Sequence, residues 1–398
     1  MIHYRWLLLF GVWLLYASFG LVATSLAPLA AQIIADLKMS HVEMGLTMGA
    51  WQLVYIAAAL PSGMLLDKIG SRRALALGGL LVAVSALMRG YATDSTSMIA
   101  AVMVFGLGGP IISAGAPKVI VENFIGARRG LAMGIYMTGP AIGGVISLTA
   151  THSVLLPFFD QDWRSVMLLW FACSIVASFV WFVLAGKQPQ LTDNAPSATG
   201  SSQIQVVKGL IRKPTVMIVL AMSVSVFLFT HGLNNWLPEM LRAHGMTAIN
   251  AGYWAAIPTV IGIFGSLLIP GLATPSRRFY ILIALSCIAF LSSVMLRSDN
   301  EGILLVGLML QGLVRSSLMT VLVLTLVELP EIGEKYVGVA SGIFFTASQF
   351  GGVLGPLLIG MLYSPSTGFS SGLWLLTCVS MTMIFGSVWL QKRAASHA

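Results

Sequence analysis

Long apolar runs alternate with short polar connections along the whole chain. A helix that crosses the hydrocarbon core of a bilayer needs about 20 mostly apolar residues. The pattern predicts twelve such spans, numbered one to twelve in chain order: 6–34, 42–66, 74–93, 97–122, 130–152, 164–186, 214–238, 247–271, 278–297, 302–327, 337–363 and 368–391. Helices are the expected element because lipid offers no hydrogen-bond partner to an open strand edge.

The longest polar connection and an internal repeat divide the chain into halves. Residues 187–213 are rich in Ser, Pro and Asn and predict a cytoplasmic linker between bundles at 1–186 and 214–398. The halves match at an offset near 208 residues, where GIYMTGPAIGGV (134–145) aligns with GIFFTASQFGGV (342–353). A parallel repeat of six spans plus six is typical of transporters, whose substrate site is expected near the bilayer midplane.

Composition agrees with a membrane protein of many spans. The chain is 57% hydrophobic and only 9% charged, far from the proportions of a soluble domain. Its net charge of +8 comes mainly from loop cations rather than from a basic cluster, which argues against a nucleic-acid partner. With the N-terminus in the cytoplasm, most loop Lys and Arg residues fall inside, so we expect both termini there and an inner-membrane location.

One charged stretch, GMLLDKIGSRR at 63–73, joins spans two and three. Its pattern resembles the loop signature of the major facilitator superfamily, and the matching residues are Gly63, Asp67, Lys68, Gly70, Arg72 and Arg73. The resemblance implies an all-α membrane protein with twelve transmembrane helices in two pseudo-symmetric six-helix bundles. It also implies a secondary transporter without a cofactor that can work as a monomer.

The acid in this loop is predicted to act as a gate. In the family, it ties the loop to the start of span eleven and to a base after span four, here Lys335-Tyr336 and Arg128 or Arg129. The matching loop of the second half keeps both arginines but has Leu272 where Asp67 stands. This asymmetry favours a latch over a purely topological role, whereas the alternative is a surface ion pair of little energy. Gly63 is expected to permit close helix approach, and Gly70 a tight turn.

Span five carries a second, partial match to the family. Gly139-Pro140 followed by Gly143-Gly144 resembles a signature frequent in the antiporters of the family. The small residues are expected to let spans five and eight slide closely, and Pro140 to bend the helix. The alternative is helix packing without any bearing on the direction of transport.

Arg315 is the main candidate for binding a substrate. It lies near the middle of span ten, and its aligned residue in the first half is Gly109. Ionisable residues inside a membrane are costly and mark functional positions. No carboxylate is found at matching depth, so the guanidinium predicts an anionic ligand. The alternative is a structural arginine held by carbonyls or by a polar neighbour such as Gln311.

Several polar residues could complete a substrate site. His231, Asn234 and Asn235 cluster around Gly232, where His231 could bind a coupling proton or simply bond across helices. Lys118 could reach the cytoplasm, pair with Glu122 or line the inner vestibule. The remaining candidates for the pocket are Tyr253, Gln349 and Gln52.

The motifs exclude most other functions. HExxH, GxSxG and P-loop patterns are absent from the sequence, so neither an enzyme nor an ATP-driven pump is predicted. The prediction is a carrier of a small organic anion, coupled to a proton or counter-anion, with a weak resemblance to cyanate and monocarboxylate carriers in NNWLPEML. The alternatives are a proton-coupled exporter of drug-like or amphipathic compounds and a membrane sensor that does not transport.

Overall fold

The computed structural model describes residues 2–187, 207–329 and 332–395. This part of the chain is almost entirely helical, with one isolated β-bridge between Ser364 and Gly368. Eleven of its helices are long and apolar enough to cross a membrane. The predicted all-α membrane fold is therefore confirmed, whereas most of the predicted linker, at 188–206, lies outside the described residues.

The helices follow the predicted spans in order. Their bounds are Ile2–Thr24, Ala30–Asp36, His41–Gly90, Ser95–Asn123, Ala127–Ala150, Trp163–Leu184, Pro214–Ala243, Ala248–Leu272, Arg278–Met295, Glu301–Val327, Gly333–Met361 and Ser370–Ala395. Span five continues past Ala150 as a π-helix, Thr151–Leu155, and a final turn, Leu156–Phe158.

Spans two and three form one long helical stretch with a break at Gly70. The stretch His41–Gly90 has 50 residues, about 75 Å at 1.5 Å per residue, which is more than twice the hydrocarbon thickness. Gly70 interrupts it with φ 77° and ψ 160°, a conformation that side chains other than glycine rarely adopt. The two segments on either side are each long enough to span, and the predicted turn at Gly70 is confirmed.

Span one is shorter than predicted. Its helix ends at Thr24, and a separate short helix begins at Ala30, so the expected continuous stretch 6–34 is wrong. The cause is Pro28. It has no N–H to donate to the carbonyl four residues earlier, at Thr24, and in a helix its ring would clash with that carbonyl. Turn hydrogen bonds from Ala27 N to Thr24 O and from Leu29 N to Leu26 O replace the helix there.

The chain forms two compact units. Unit 1 comprises Met1–Asn194 and Leu237–Ala256, and unit 2 comprises Ala195–Trp236 and Ile257–Ala398. The segment 237–256, which is the end of span seven and the start of span eight, groups with unit 1.

Equivalent glycines pack in the same way in the two units. In unit 1, a Cβ on Gly143 would overlap the carbonyl oxygen of Ala17, and in unit 2 a Cβ on Gly351 would overlap that of Val224. The glycines of span five thus contact span one, whereas close contact with span eight was expected. Span eight approaches span five elsewhere, because Gly252 lies against the carbonyl of Leu148.

Candidate functional site

In unit 2, Arg315 lies in the middle of span ten with one described hydrogen bond. Its Nη1 donates to Oγ1 of Thr259 in span eight at 2.7 Å, and the side chain is half-buried. Gly312 brings the two helices together, since a Cβ there would lie 2.6 Å from the carbonyl oxygen of Pro258. No described carboxylate forms an ion pair with Arg315. The guanidinium is therefore positioned by a neutral hydroxyl.

Span seven carries three of the predicted site residues in the same unit. His231 interacts electrostatically with Arg315, and its ring centroid lies 5.0 Å from that of Phe227. Asn235 Nδ2 donates to the carbonyl of His231 at 2.8 Å, which uses that amide within its own helix. Asn234 is half-buried. His231 and Arg315 thus belong to one unit and lie close enough for their charges to interact.

Two glutamines of unit 2 keep amide atoms without a hydrogen-bond partner among the described residues. Gln311 is fully buried with both amide atoms unpartnered, one helical turn from Arg315 on the same helix. Gln349 is 6% exposed, and its Oε1 is unpartnered. The polar neighbour that holds Arg315 is Thr259 rather than Gln311.

The equivalent region of unit 1 is aromatic rather than charged. A Cβ on Gly109, the residue aligned with Arg315, would lie 3.3 Å from the ring of Phe19 and 3.4 Å from that of Tyr55. Phe19 stacks on Phe105 with centroids 4.7 Å apart. We call the following residues the aromatic cluster: Tyr16, Phe19, Trp51, Tyr55, Phe105 and Tyr136. Gln52, a predicted site residue, is fully buried beside it in sequence.

On the predicted cytoplasmic side, Asp67 pairs with Lys118. The carboxylate Oδ1 lies 2.7 Å from Nζ, and the aspartate side chain is 64% exposed. The predicted pairing of Asp67 with a base after span four is wrong, because Lys118 within span four takes that place. Arg129 instead donates to the carbonyls of Phe124 and Val121. The predicted partners Lys335 and Tyr336 lie outside the residues whose side chains are described.

For Lys118, the observed partner Asp67 is not among its three predicted roles, which were to reach the cytoplasm, to pair with Glu122 or to line the inner vestibule. Arg72 anchors the loop to span six by donating to the carbonyl of Phe182 at 3.0 Å. Arg73 and Arg128 are exposed. The close helix approach predicted at Gly63 is not seen in this structure, because a Cβ there would meet no described atom within 4 Å.

The remaining motif residues have mixed outcomes. Gly139 lies against the carbonyl of Trp13, where an added Cβ would be 2.9 Å away, and Gly144 lies against Thr24. Pro140 approaches Gly20 of span one within the same unit. Tyr253 is 49% exposed and falls in the segment that groups with unit 1. The predicted substrate residues are thus divided, with Arg315, His231, Asn234, Asn235 and Gln349 in unit 2 and Gln52, Lys118 and Tyr253 in unit 1.

Two further features lie outside the predicted substrate and gating residues. Arg89 is fully buried, and its Nη1 donates to the carbonyl of Val22 at 2.7 Å and to Ser25 Oγ at 3.0 Å. His152 sits in the π-helix of span five and bonds to the carbonyl of Pro28. A histidine inside a predicted span is a signal that could have drawn attention to His152.

Solved structures share the fold of the whole chain. A nucleoside transporter, NupG, superposes with a TM-score of 0.79 at 13% identity, covering 98% of this chain and 99% of that one. A bacterial homologue of the human lysosomal transporter Spinster superposes with a TM-score of 0.72 at 17% identity, covering 98% and 96%.

Sequence relatives carry the similarity further. The chain is 21% identical to the D-galactonate transporter of Escherichia coli O6:H1, over 92% of this chain and 91% of the relative. It is 27% identical to the cyanate transport protein CynX of E. coli K12, over 66% of each chain. It is 25% identical to a quinolone resistance transporter of Acinetobacter baumannii, over 89% and 85%. The model of the Major Facilitator Superfamily matches residues 9–356, and the chain belongs to that family of membrane transporters.

Proposed function

We propose that this transporter moves small organic anions and that Arg315 binds the anionic group. The setting of the guanidinium carries the proposal: it is half-buried in the middle of span ten, bonded to a neutral hydroxyl, and paired with no described carboxylate. A charge without a counter-ion in a membrane is costly. The presence of Arg315 at this depth therefore favours an anionic ligand that completes the pair.

The chemistry of arginine fits a carboxylate. A guanidinium carries five N–H donors in a planar fork that matches two carboxylate oxygens. One donor is used by Thr259, which orients the group and leaves other donors for a ligand. The unpartnered amides of Gln311 and Gln349 are further groups that could bond to a polar substrate. Two relatives are named for the anions D-galactonate and cyanate, which agrees with this substrate class.

A thermal-shift screen on purified protein tests the proposal. The panel holds mono- and dicarboxylates, inorganic anions and lipophilic cations, because a ligand that binds the folded state raises its apparent stability. We expect one anion class to stabilise the parent protein but not Arg315→Gln. Loss of a charged hydrogen bond is worth about 1.5–3 kcal/mol, or roughly a tenfold to hundredfold loss of affinity.

The matched control is Arg277→Gln, which removes an exposed arginine from the loop between spans eight and nine. This variant should respond to the anion as the parent does. Equal stabilisation of the parent and of Arg315→Gln by that anion would make Arg315 a structural residue and overturn the assignment.

The aromatic cluster favours one alternative, the export of amphipathic or drug-like compounds. Tyr16, Phe19, Trp51 and Tyr55 are half-buried and present ring surfaces on which flat or cationic compounds stack. A quinolone resistance transporter is among the relatives. Stabilisation by lipophilic cations that is lost in Tyr55→Leu and kept in Arg315→Gln would support export and replace the anion proposal.

A further inference from the structure

Span five is interrupted at a histidine that the anion site does not use. Its α-helix Ala127–Ala150 passes into the π-helix Thr151–Leu155, and His152 is the second residue of that turn. π-helical turns are rare and frequently lie at functional sites. The interruption therefore marks His152 for closer consideration.

The hydrogen bond of His152 determines which ring nitrogen is available. Nε2 lies 2.7 Å from the carbonyl oxygen of Pro28, in the turn that follows the first helix. A carbonyl oxygen only accepts, so Nε2 must be the nitrogen that donates. In the neutral ring, Nδ1 then carries the lone pair, and a further proton binds there.

The charged groups that face this ring come from span seven. Arg242 opposes a positive charge on the His152 ring, and Glu239 favours one, with the arginine having the larger effect. They also bond to each other, with Arg242 Nη1 3.0 Å from Glu239 Oε1, and the glutamate side chain is only 13% exposed. Neither the turn at 25–29 nor the neighbouring part of span five, 145–158, contains a charged residue other than the histidine itself.

These groups belong to one compact unit. The segment 237–256 groups with unit 1, and Gly252 of that segment packs on the carbonyl of Leu148, one turn before His152. The imidazole therefore lies where span five meets the ends of spans seven and eight, with one anion and one cation beside it.

We propose that His152 is a proton-binding site in which Nδ1 accepts the proton, and that the ion pair beside it sets its affinity, with Glu239 favouring the positive ring and Arg242 opposing it. The step forms one N–H bond at the Nδ1 lone pair, breaks one O–H bond of the donating water or hydronium, and adds one positive charge to the ring. For transport, which rests on the proposed function, the site gives the carrier a place where a proton can bind and leave.

The two neighbours give the proposal a signed test. Removing the anion with Glu239→Gln makes a positive ring less favourable, so the midpoint of the His152 titration should move to lower pH. Removing the cation with Arg242→Gln should move that midpoint to higher pH. We expect each shift to be roughly half a pH unit or more.

The titration is measured by NMR on the full chain in nanodiscs with ¹⁵N-labelled histidine. The sequence contains six histidines, and the signal that disappears in His152→Gln identifies the residue. The pH is varied from about 4 to about 9, a range that brackets the ordinary titration of histidine. Because no substrate is added, a failure here is distinct from a failure of the anion proposal.

Control variants separate charge from structure. Glu239→Asp keeps the negative charge and should keep the midpoint, and Glu301→Gln removes an exposed acid in unit 2 and should leave the midpoint unchanged. If Arg242→Gln does not fold, the comparison of Glu239→Gln with Glu239→Asp still decides. A His152 signal that does not titrate, or that moves equally in Glu239→Gln and Glu239→Asp, would overturn the proposal.

Discussion

The two repeats of this transporter have the same packing but different charges. Gly143 in span five and Gly351 in span eleven each lie against a backbone carbonyl of the first span in their own repeat. Arg315 aligns with Gly109, and Asp67 aligns with Leu272. Close backbone contacts leave no choice of residue, so both copies keep glycine. The charges are not required by the fold, and their asymmetry points to function.

Arg89 and Arg297 occupy matching positions in the two repeats, at the ends of spans three and nine, and combine a shared role with different contacts. Arg89 bonds to Val22 and Ser25 of span one, whereas Arg297 donates to the carbonyl of Leu373 in span twelve. The guanidinium of Arg297 also lies 3.9 Å from the ring centroid of Trp374. Both arginines donate hydrogen bonds to carbonyl groups, which is a structural role. Arg89 bonds to span one, whereas Arg297 bonds to span twelve.

The glycine contacts give the largest expected effect. Gly143→Leu and Gly351→Leu should each prevent recovery of folded protein, because the new side chain meets a backbone carbonyl that cannot move aside. Overpacking costs about 1–3 kcal/mol even where side chains can adjust. Yield and monodispersity by size-exclusion chromatography measure the outcome. Gly134→Ala, which meets no described atom within 4 Å, is the matched control. A folding defect in one repeat only would contradict their equivalence.

Substitutions of Arg89 and Arg297 should differ in their effect on stability. Arg89→Gln removes two hydrogen bonds from a fully buried group and leaves the Val22 carbonyl without its partner, at a cost of about 1–3 kcal/mol. Arg297→Gln should lower the melting temperature less, because that side chain is half-buried. Thermal denaturation of both variants gives the comparison, and a larger loss at Arg297 would show that the burial argument is wrong.

Asp67→Asn should leave the fold almost unchanged and strongly reduce transport. The pair with Lys118 is exposed, so its loss should change stability by no more than about 1 kcal/mol. Uptake into proteoliposomes of the anion found in the screen measures transport. Exchange of the charges, Asp67→Lys with Lys118→Asp, should restore part of the rate, and Leu272→Asn is the control in the second repeat. Normal uptake by Asp67→Asn would remove the latch hypothesis.

The smallest effect concerns two aligned helix caps. Asp94 accepts from Ser97 N at the start of span four, and Asn300 accepts from Ile303 N at the start of span ten. The backbone bond from Ser97 lowers the pKa of Asp94 from 3.8, so its stabilisation is present above that pH and is lost as the pH falls through the lowered value. Melting temperatures of the parent and Asp94→Asn should therefore converge in acid. Asn300→Asp should introduce the same dependence at span ten, and a constant difference across pH would contradict it.

Much of the fold follows from the pattern of the sequence alone. The sequence predicts the apolar runs of spanning length, the turn at Gly70 and the repeat. Each of these depends on local composition or on a residue with special backbone freedom. The end of span one was missed, although Pro28 was visible, since apolar residues continue past the break.

Contacts between helices were harder to predict. The sequence predicts a loop arginine or the start of span eleven as the partner of Asp67. In the structure, Lys118 reaches Asp67 from one and a half turns inside span four. The glycines of span five were assigned to span eight rather than span one, because spacing shows that a helix approaches closely but not which helix does so. Arg315 was identified from its depth in the membrane, whereas its bond to Thr259 required the structure.

The most direct test of the central claim is anion uptake by Arg315→Gln. Proteoliposomes containing the parent, Arg315→Gln or Arg277→Gln are supplied with the radiolabelled anion that stabilises the parent protein. Loss of the guanidinium should lower uptake at limiting anion by roughly tenfold or more, and the exposed control should match the parent. Equal uptake by Arg315→Gln and the parent would contradict the assignment of Arg315 as the anion-binding residue.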